Sequence, residues 1–135
     1  MSGCLFCKII KKEIPAEIVY EDKDAVAFLD IGPVGKGHTL VCPKVHSENI
    51  LDIKDADLKK LIAVAQKVTK AVVKGMNAQG VNVSMNNNRA AGQLVFHTHF
   101  HIIPRFEHDG LQHWPHGKYA EGEAKAVAEK IKGNF

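Results

Sequence analysis

The segment Phe96-His97-Thr98-His99-Phe100-His101-Ile102-Ile103-Pro104 constrains this chain more than any other. In an extended strand, residues two apart share a face, so His97, His99 and His101 project together while Thr98, Phe100 and Ile102 project oppositely. On a helix the three histidines would diverge. The alternation therefore predicts a strand with an apolar side and a side displaying three imidazoles about 7 Å apart. Of the eight histidines in 135 residues, six fall between His97 and His116, which makes this region the first place to look for chemistry.

Around it the patterning is that of an α+β domain. Leu58, Leu61, Ile62, Ala65, Val68, Val72, Val73 and Met76 recur at three and four, predicting a long helix from Asp55, with Asp55 as N-cap and Asp57 favoured by the helix dipole. Val81, Val83 and Met85 alternate with polar residues as a second strand. Val19–Tyr20 and Ala25–Leu29, separated by Glu21-Asp22-Lys23-Asp24, predict a hairpin, and His38–Cys42 a further strand. Cys4–Lys12 reads as a short helix and Tyr119–Ile131 as a short amphipathic helix or docked tail. The glycines of Ile31–Gly37 lack the Ser or Thr of a phosphate loop and read as a turn.

An apolar share of 45% over this length predicts one domain, 1–135, able to bury a core without disulfides or metal staples. No apolar run approaches the roughly 20 residues of a membrane span, and the first residues lack a secretory pattern, so the expected location is cytoplasmic. Lys and Arg exceed Asp and Glu by 18 to 15 with only two Arg, against a dedicated nucleic-acid binder and compatible with a small anionic ligand.

Clustered imidazoles bind metals or act in acid-base and nucleophilic steps. The Asp of a zinc-hydrolase His-x-His-x-Asp-His motif and the Glu of a cupin site are absent, which favours chemistry by histidine itself. With unperturbed pKa values near ~6.5, neighbouring imidazoles repel one another's protons and stay largely neutral, as a nucleophile must.

His97-Thr98-His99-Phe100-His101-Ile102-Ile103 resembles the signature of the histidine triad (HIT) superfamily, with Thr98 the one spacer that is not apolar. Leu5–Ile10, Glu13-Ile14-Pro15-Ala16, Phe28–Pro33, Gly37-His38-Thr39-Leu40, Pro43-Lys44-Val45-His46 and Gly92-Gln93 are similar, in order, to its Hint-type branch. The likeness covers most of the chain. It implies an α+β HIT-like fold: a five-stranded, mainly antiparallel sheet with one long and one short helix, joined to a second copy as a ten-stranded sheet in a homodimer. It implies a purine nucleotide, an AMP or GMP derivative, cleaved at the α-phosphorus without a catalytic metal; a non-catalytic nucleotide-binding adaptor is the alternative.

Residue by residue, the resemblance makes His99 the nucleophile and His101 a donor to the phosphate, assisted by backbone N–H groups near Gly92. Asp30 would accept the ribose hydroxyls, or else simply cap the turn before Gly32. Phe6, Ile9, Leu29 and Ile31 would form the base slot, or ordinary core. Asn86 would contact phosphate or ribose, and Gln93 would sit beside the leaving group. Leu94 stands where eukaryotic Hint proteins carry a hydroxyl, which puts a preference for amine leaving groups in question. Trp114 is the counterpart of a C-terminal Trp, behind a longer linker.

Cys4 and Cys7 form a C-x-x-C. Read alone, the pair is half of a zinc site, two ordinary thiols, or a redox pair lacking its usual βαβ context. Some bacterial HIT relatives, similar in this to galactose-1-phosphate uridylyltransferases, add two histidines, which implies a structural zinc on Cys4, Cys7, His46 and His97. Cys42 reads as a small buried residue.

Overall fold

In the computed structural model, which describes residues 3–135, the elements run α1 (Leu5–Ile10), β1 (Ile18–Glu21), β2 (Ala25–Leu29), β3 (Thr39–Pro43), α2 (Asp55–Gly75), β4 (Gly80–Ser84), a 3-10 turn (Arg89–Ala91), β5 (Phe100–Arg105) and α3 (Glu123–Lys132). Met1 and Ser2, the start of the segment read as lacking a secretory pattern, lie outside the described residues. The sheet is antiparallel throughout, in the order β1-β2-β3-β5-β4. Among the described residues no helix is long and apolar enough to cross a membrane.

Both faces of the central strands are buried, and the two-residue period sorts their side chains. Ala25, Ala27, Val41 and Ile102 pack against Leu61, Val64, Val68 and Val72 of α2. Val26, Phe28, Leu40 and Cys42 pack on the other side against Phe6 and Ile9 of α1. The β1–β2 turn is tied by Asp22 Oδ1, which accepts from the N–H groups of Asp24 and Ala25 at 2.7 and 2.8 Å. Gly37 has φ +91°, and a Cβ there would lie 2.7 Å from Met76 Cγ, so the turn into β3 needs glycine for both conformation and space.

Several expectations change. Asp55 is the first residue of α2 rather than its cap; the cap position is Lys54, which makes no side-chain bond, and Asp55 and Asp57 both serve the dipole. The histidine strand begins only at Phe100, because the preceding residues bond elsewhere. Thr98 N–H donates to the Ser47 carbonyl at 2.8 Å, and β3 ends at Pro43, which has no N–H to offer a ladder. The imidazoles are not displayed at strand spacing but packed under α1, with the His99 and His101 rings 4.9 Å apart. α3 forms within the segment read as a short amphipathic helix or docked tail, so the described residues hold three helices where the resemblance implied one long and one short, and none of the residues of α3 is buried.

Candidate active site

On the α1 side of the sheet lies a cavity of about 270 Å³ walled by Phe6, Ile9, Phe28, Leu40 and Val95, with Asp30, His99 and His101 bringing polar groups to it. Alternation puts Phe28 in this wall, a residue absent from the expected base slot. Leu29 lines this cavity and also a second one beneath α2, beside Tyr20 and Val68. Ile31 and Leu94 lie at the rim, almost wholly exposed at 97% and 91%.

The hydrogen bonds assign a proton to each ring. His99 Nδ1 lies 2.6 Å from the His97 carbonyl oxygen, which can only accept, so Nδ1 carries the hydrogen and Nε2 the lone pair of the neutral ring. His38 Nδ1 accepts from Val34 N–H at 3.1 Å, so His38 Nε2–H donates to His101 Nδ1 at 2.9 Å, leaving His101 a donor at Nε2. Burial lowers the pKa of all three. The nearby His99 and His38 help take His101 down to about 4, against an opposing pull from Asp30. His38 has no role legible in its own segment; β3–β5 pairing brings it within reach of a residue 63 positions away.

Asp30 divides its oxygens. Oδ1 accepts Gly32 N–H at 2.8 Å, as the turn-capping alternative required, while Oδ2 stands 3.7 Å from His38 Nε2 and lines the cavity. Half-buried Asn86 reaches the Gly92 side of the loop, where Gly92 takes φ +89°. The N–H groups of Ala91, Gly92 and Gln93 are consumed within that loop, so they are not free donors to a phosphate. Gln93, expected beside the leaving group, is buried and faces inward. Its amide accepts from Asn49 Nδ2 and Asn88 N–H and donates to the carbonyls of Glu48 and Val95, stapling two loops together. Trp114 is exposed and does not line the cavity.

Cys4, Cys7, His46 and His97 converge behind the triad, their ligand atoms all within 4.8 Å of one another. Cys4 Sγ and Cys7 Sγ lie 3.4 and 3.5 Å from His97 Nδ1, Cys7 Sγ lies 3.4 Å from His46 Nδ1, and the two Nδ1 atoms are 3.2 Å apart. A tetrahedral cation with nitrogen at about 2.05 Å and sulfur at about 2.3 Å has N···N edges of about 3.3 Å and S···N edges of about 3.6 Å. His97 Nε2–H donates to the Pro43 carbonyl at 2.7 Å, so its Nδ1 lone pair turns inward. Burial and the adjacent Cys4 push the Cys7 thiol up, a cost that a divalent cation reverses by ionising it. The donor set and its spacing fit a tetrahedral S2N2 metal.

The antiparallel sheet and histidine-lined cavity define a small α+β domain built around a histidine cluster. The HIT domain family matches residues 11–108, and the chain belongs to that family. It is 48% identical over 130 residues to an uncharacterised HIT-like protein of Methanocaldococcus jannaschii, covering 96% of this chain and 99% of the relative. The adenosine 5'-monophosphoramidase of Schizosaccharomyces pombe is 42% identical over 98% of both chains. A crystal structure from Streptococcus mutans superposes with a TM-score of 0.93 at 41% identity, covering 98% of this chain and 85% of that one.

Proposed function

We propose that this protein is a nucleotide hydrolase or transferase that cleaves purine nucleoside phosphoramidates or related anhydrides through a nucleotidyl-His99 intermediate. The observation that carries the reading is the 2.6 Å bond from His99 Nδ1–H to the His97 carbonyl, which leaves Nε2 as a lone pair at the wall of an apolar cavity. That lone pair attacks the α-phosphorus, the bond to the leaving group breaks, and the leaving group takes a proton from solvent; water then attacks the same phosphorus, gives a proton back to solvent, and frees the nucleoside monophosphate and His99. His101 Nε2–H donates to a phosphate oxygen as charge develops there. Its orientation comes from His38. Asp30 Oδ2 accepts the ribose hydroxyls, and Phe6, Ile9 and Phe28 sandwich the base. Cys4, Cys7, His46 and His97 would hold a structural zinc, which contributes folding free energy and takes no part in bond making.

The test is mass spectrometry of the protein quenched during turnover of an AMP-amine. The expected result is an acid-labile nucleoside monophosphate on His99, absent from a His99→Asn variant that still binds AMP. Trapping on His101, or full turnover by His99→Asn, would refute the assignment, and tight AMP binding without turnover would make the protein an adaptor.

A further inference from the structure

His97 joins the sulfur-nitrogen cluster to the reacting histidine. Its fully buried ring places Nδ1 among Cys4, Cys7 and His46, its Nε2–H is held by Pro43, and its own carbonyl accepts the His99 Nδ1–H bond. The β5 ladder starts at Phe100, so the position of this carbonyl depends on the ring anchors of His97 and on the bond from Thr98 N–H to Ser47. Resting on the function proposed above, we infer that Cys4, Cys7 and His46 are positioning residues for His99: the metal they hold sets the His97 carbonyl, and through it the proton and ring orientation of the nucleophile.

The His46 and His97 Nδ1 atoms lie 3.2 Å apart, the N···N edge of a tetrahedral site. One cation would tie four side chains together at once, whereas a neutral His46 ring has a single N–H to offer to a single partner. Losing the metal therefore loosens the anchor on the His97 ring and on the carbonyl behind it. A second route ends on the same imidazole. Phe6 lies between the two cysteines on α1, and its ring meets His99 edge-on with centroids 5.0 Å apart. With only six residues, α1 is too short to hold itself together, so its place over the cavity depends on Cys4 and Cys7 as well as on its packed apolar face. A misplacement of about 1 Å at a reacting group can cost about a hundredfold in rate.

Cys4→Ser is the informative variant. Cys4 caps α1 by accepting Cys7 N–H on its sulfur, a bond that a serine oxygen also makes, so the change removes a metal ligand and spares the cap. Zinc content, the nitrogen-15 resonance of the His99 Nδ1–H group and the single-turnover rate of nucleotidyl transfer to His99 are measured on wild type, chelator-stripped wild type, Cys4→Ser and His46→Ala. Wild type should carry about one zinc per chain. The metal-free forms should lose the Nδ1–H resonance to exchange and slow nucleotidyl transfer about 10- to 100-fold, with zinc restoring both only in stripped wild type. Metal-free protein that unfolds cooperatively yet keeps the resonance and a rate within about twofold of wild type would overturn the inference. So would wild type that takes up no zinc, or unfolding of every metal-free form, which would reduce the cluster to a folding staple. If wild type forms no adduct at all, the proposed function fails, whereas the His99 resonance still decides whether the cluster positions it.

Discussion

Replacing Asp30 by Asn separates the loop from the sugar. Asn retains an amide oxygen for Gly32 N–H, so the turn survives, but it substitutes an NH2 donor for the Oδ2 acceptor on the cavity side. Hydrogen bonds to a charged group contribute about 1.5–3 kcal/mol, so kcat/KM for an AMP-amine should fall about 10- to 150-fold. The discriminating measurement is a cycle with the substrate analogue lacking both ribose hydroxyls. Wild type should lose a similar factor on that analogue, and Asp30→Asn should discriminate between the two substrates by no more than about threefold, since the missing bond cannot be lost twice. Urea unfolding should give nearly the wild-type midpoint. Asp30 also acts on His38, His99 and His101 through its charge, but it opposes a larger effect of burial that keeps all three pKa values low, so assays at about pH 7 compare neutral rings in both proteins. A variant that keeps the full preference for the ribonucleotide while losing rate would show that Asp30 serves the histidines or the loop, and the sugar-binding argument would be wrong.

Gly37→Ala should lower the unfolding free energy by about 2–4 kcal/mol in a urea titration, combining the cost of a positive φ with a Cβ 2.7 Å from Met76 Cγ; a Met76→Ala background should relieve part of it. His38 and His101 hold folded-state pKa values below their unfolded ones, so the unfolded chain binds more protons in mild acid. Their contribution to stability is intact above about pH 6.5 and drains away toward about pH 4, by roughly 3 kcal/mol at most for His101. The slope of stability against pH over that window should be shallower in His101→Phe than in wild type, and equal slopes would refute the assignment. Light scattering should report twice the chain mass, because β4 is an edge strand whose exposed Val83 adjoins Ile62 and Ala63 on the outer face of α2; Val83→Lys should shift the mass toward the monomer.

Much of the architecture can be read along the chain because each core residue repeats a local period. Val41 and Leu40 meet different helices for the same reason that His99 and Phe100 face opposite ways. What cannot be read locally is which backbone group each imidazole meets. His97 and His99 lie outside the ladder because Ser47 and Pro43, about fifty residues earlier, claim the bonds that a strand would have used. His38 matters only because the β3–β5 register pairs Leu40 with His101, a pairing that leaves no mark in either segment alone. Gln93 precedes the triad in sequence, and the family resemblance implies a place for it beside the leaving group. Its four hydrogen bonds turn it inward instead.

That inward turn shapes what the cavity can select. The nucleoside half of a substrate would meet an apolar wall and a carboxylate with one oxygen turned to the cavity, whereas the leaving group would emerge past Leu94, 91% exposed, and a loop whose Ala91, Gly92 and Gln93 N–H groups are already spent. A site reads only the part of a ligand that it desolvates and bonds. On the proposed function, selectivity would belong to the base and ribose, and the reactivity of the departing group would be left to its own acidity and to the orientation of His99. An arrangement of this kind suits an enzyme that removes one nucleotide from many attachments, and it places the main structural demand on holding a single neutral imidazole in line.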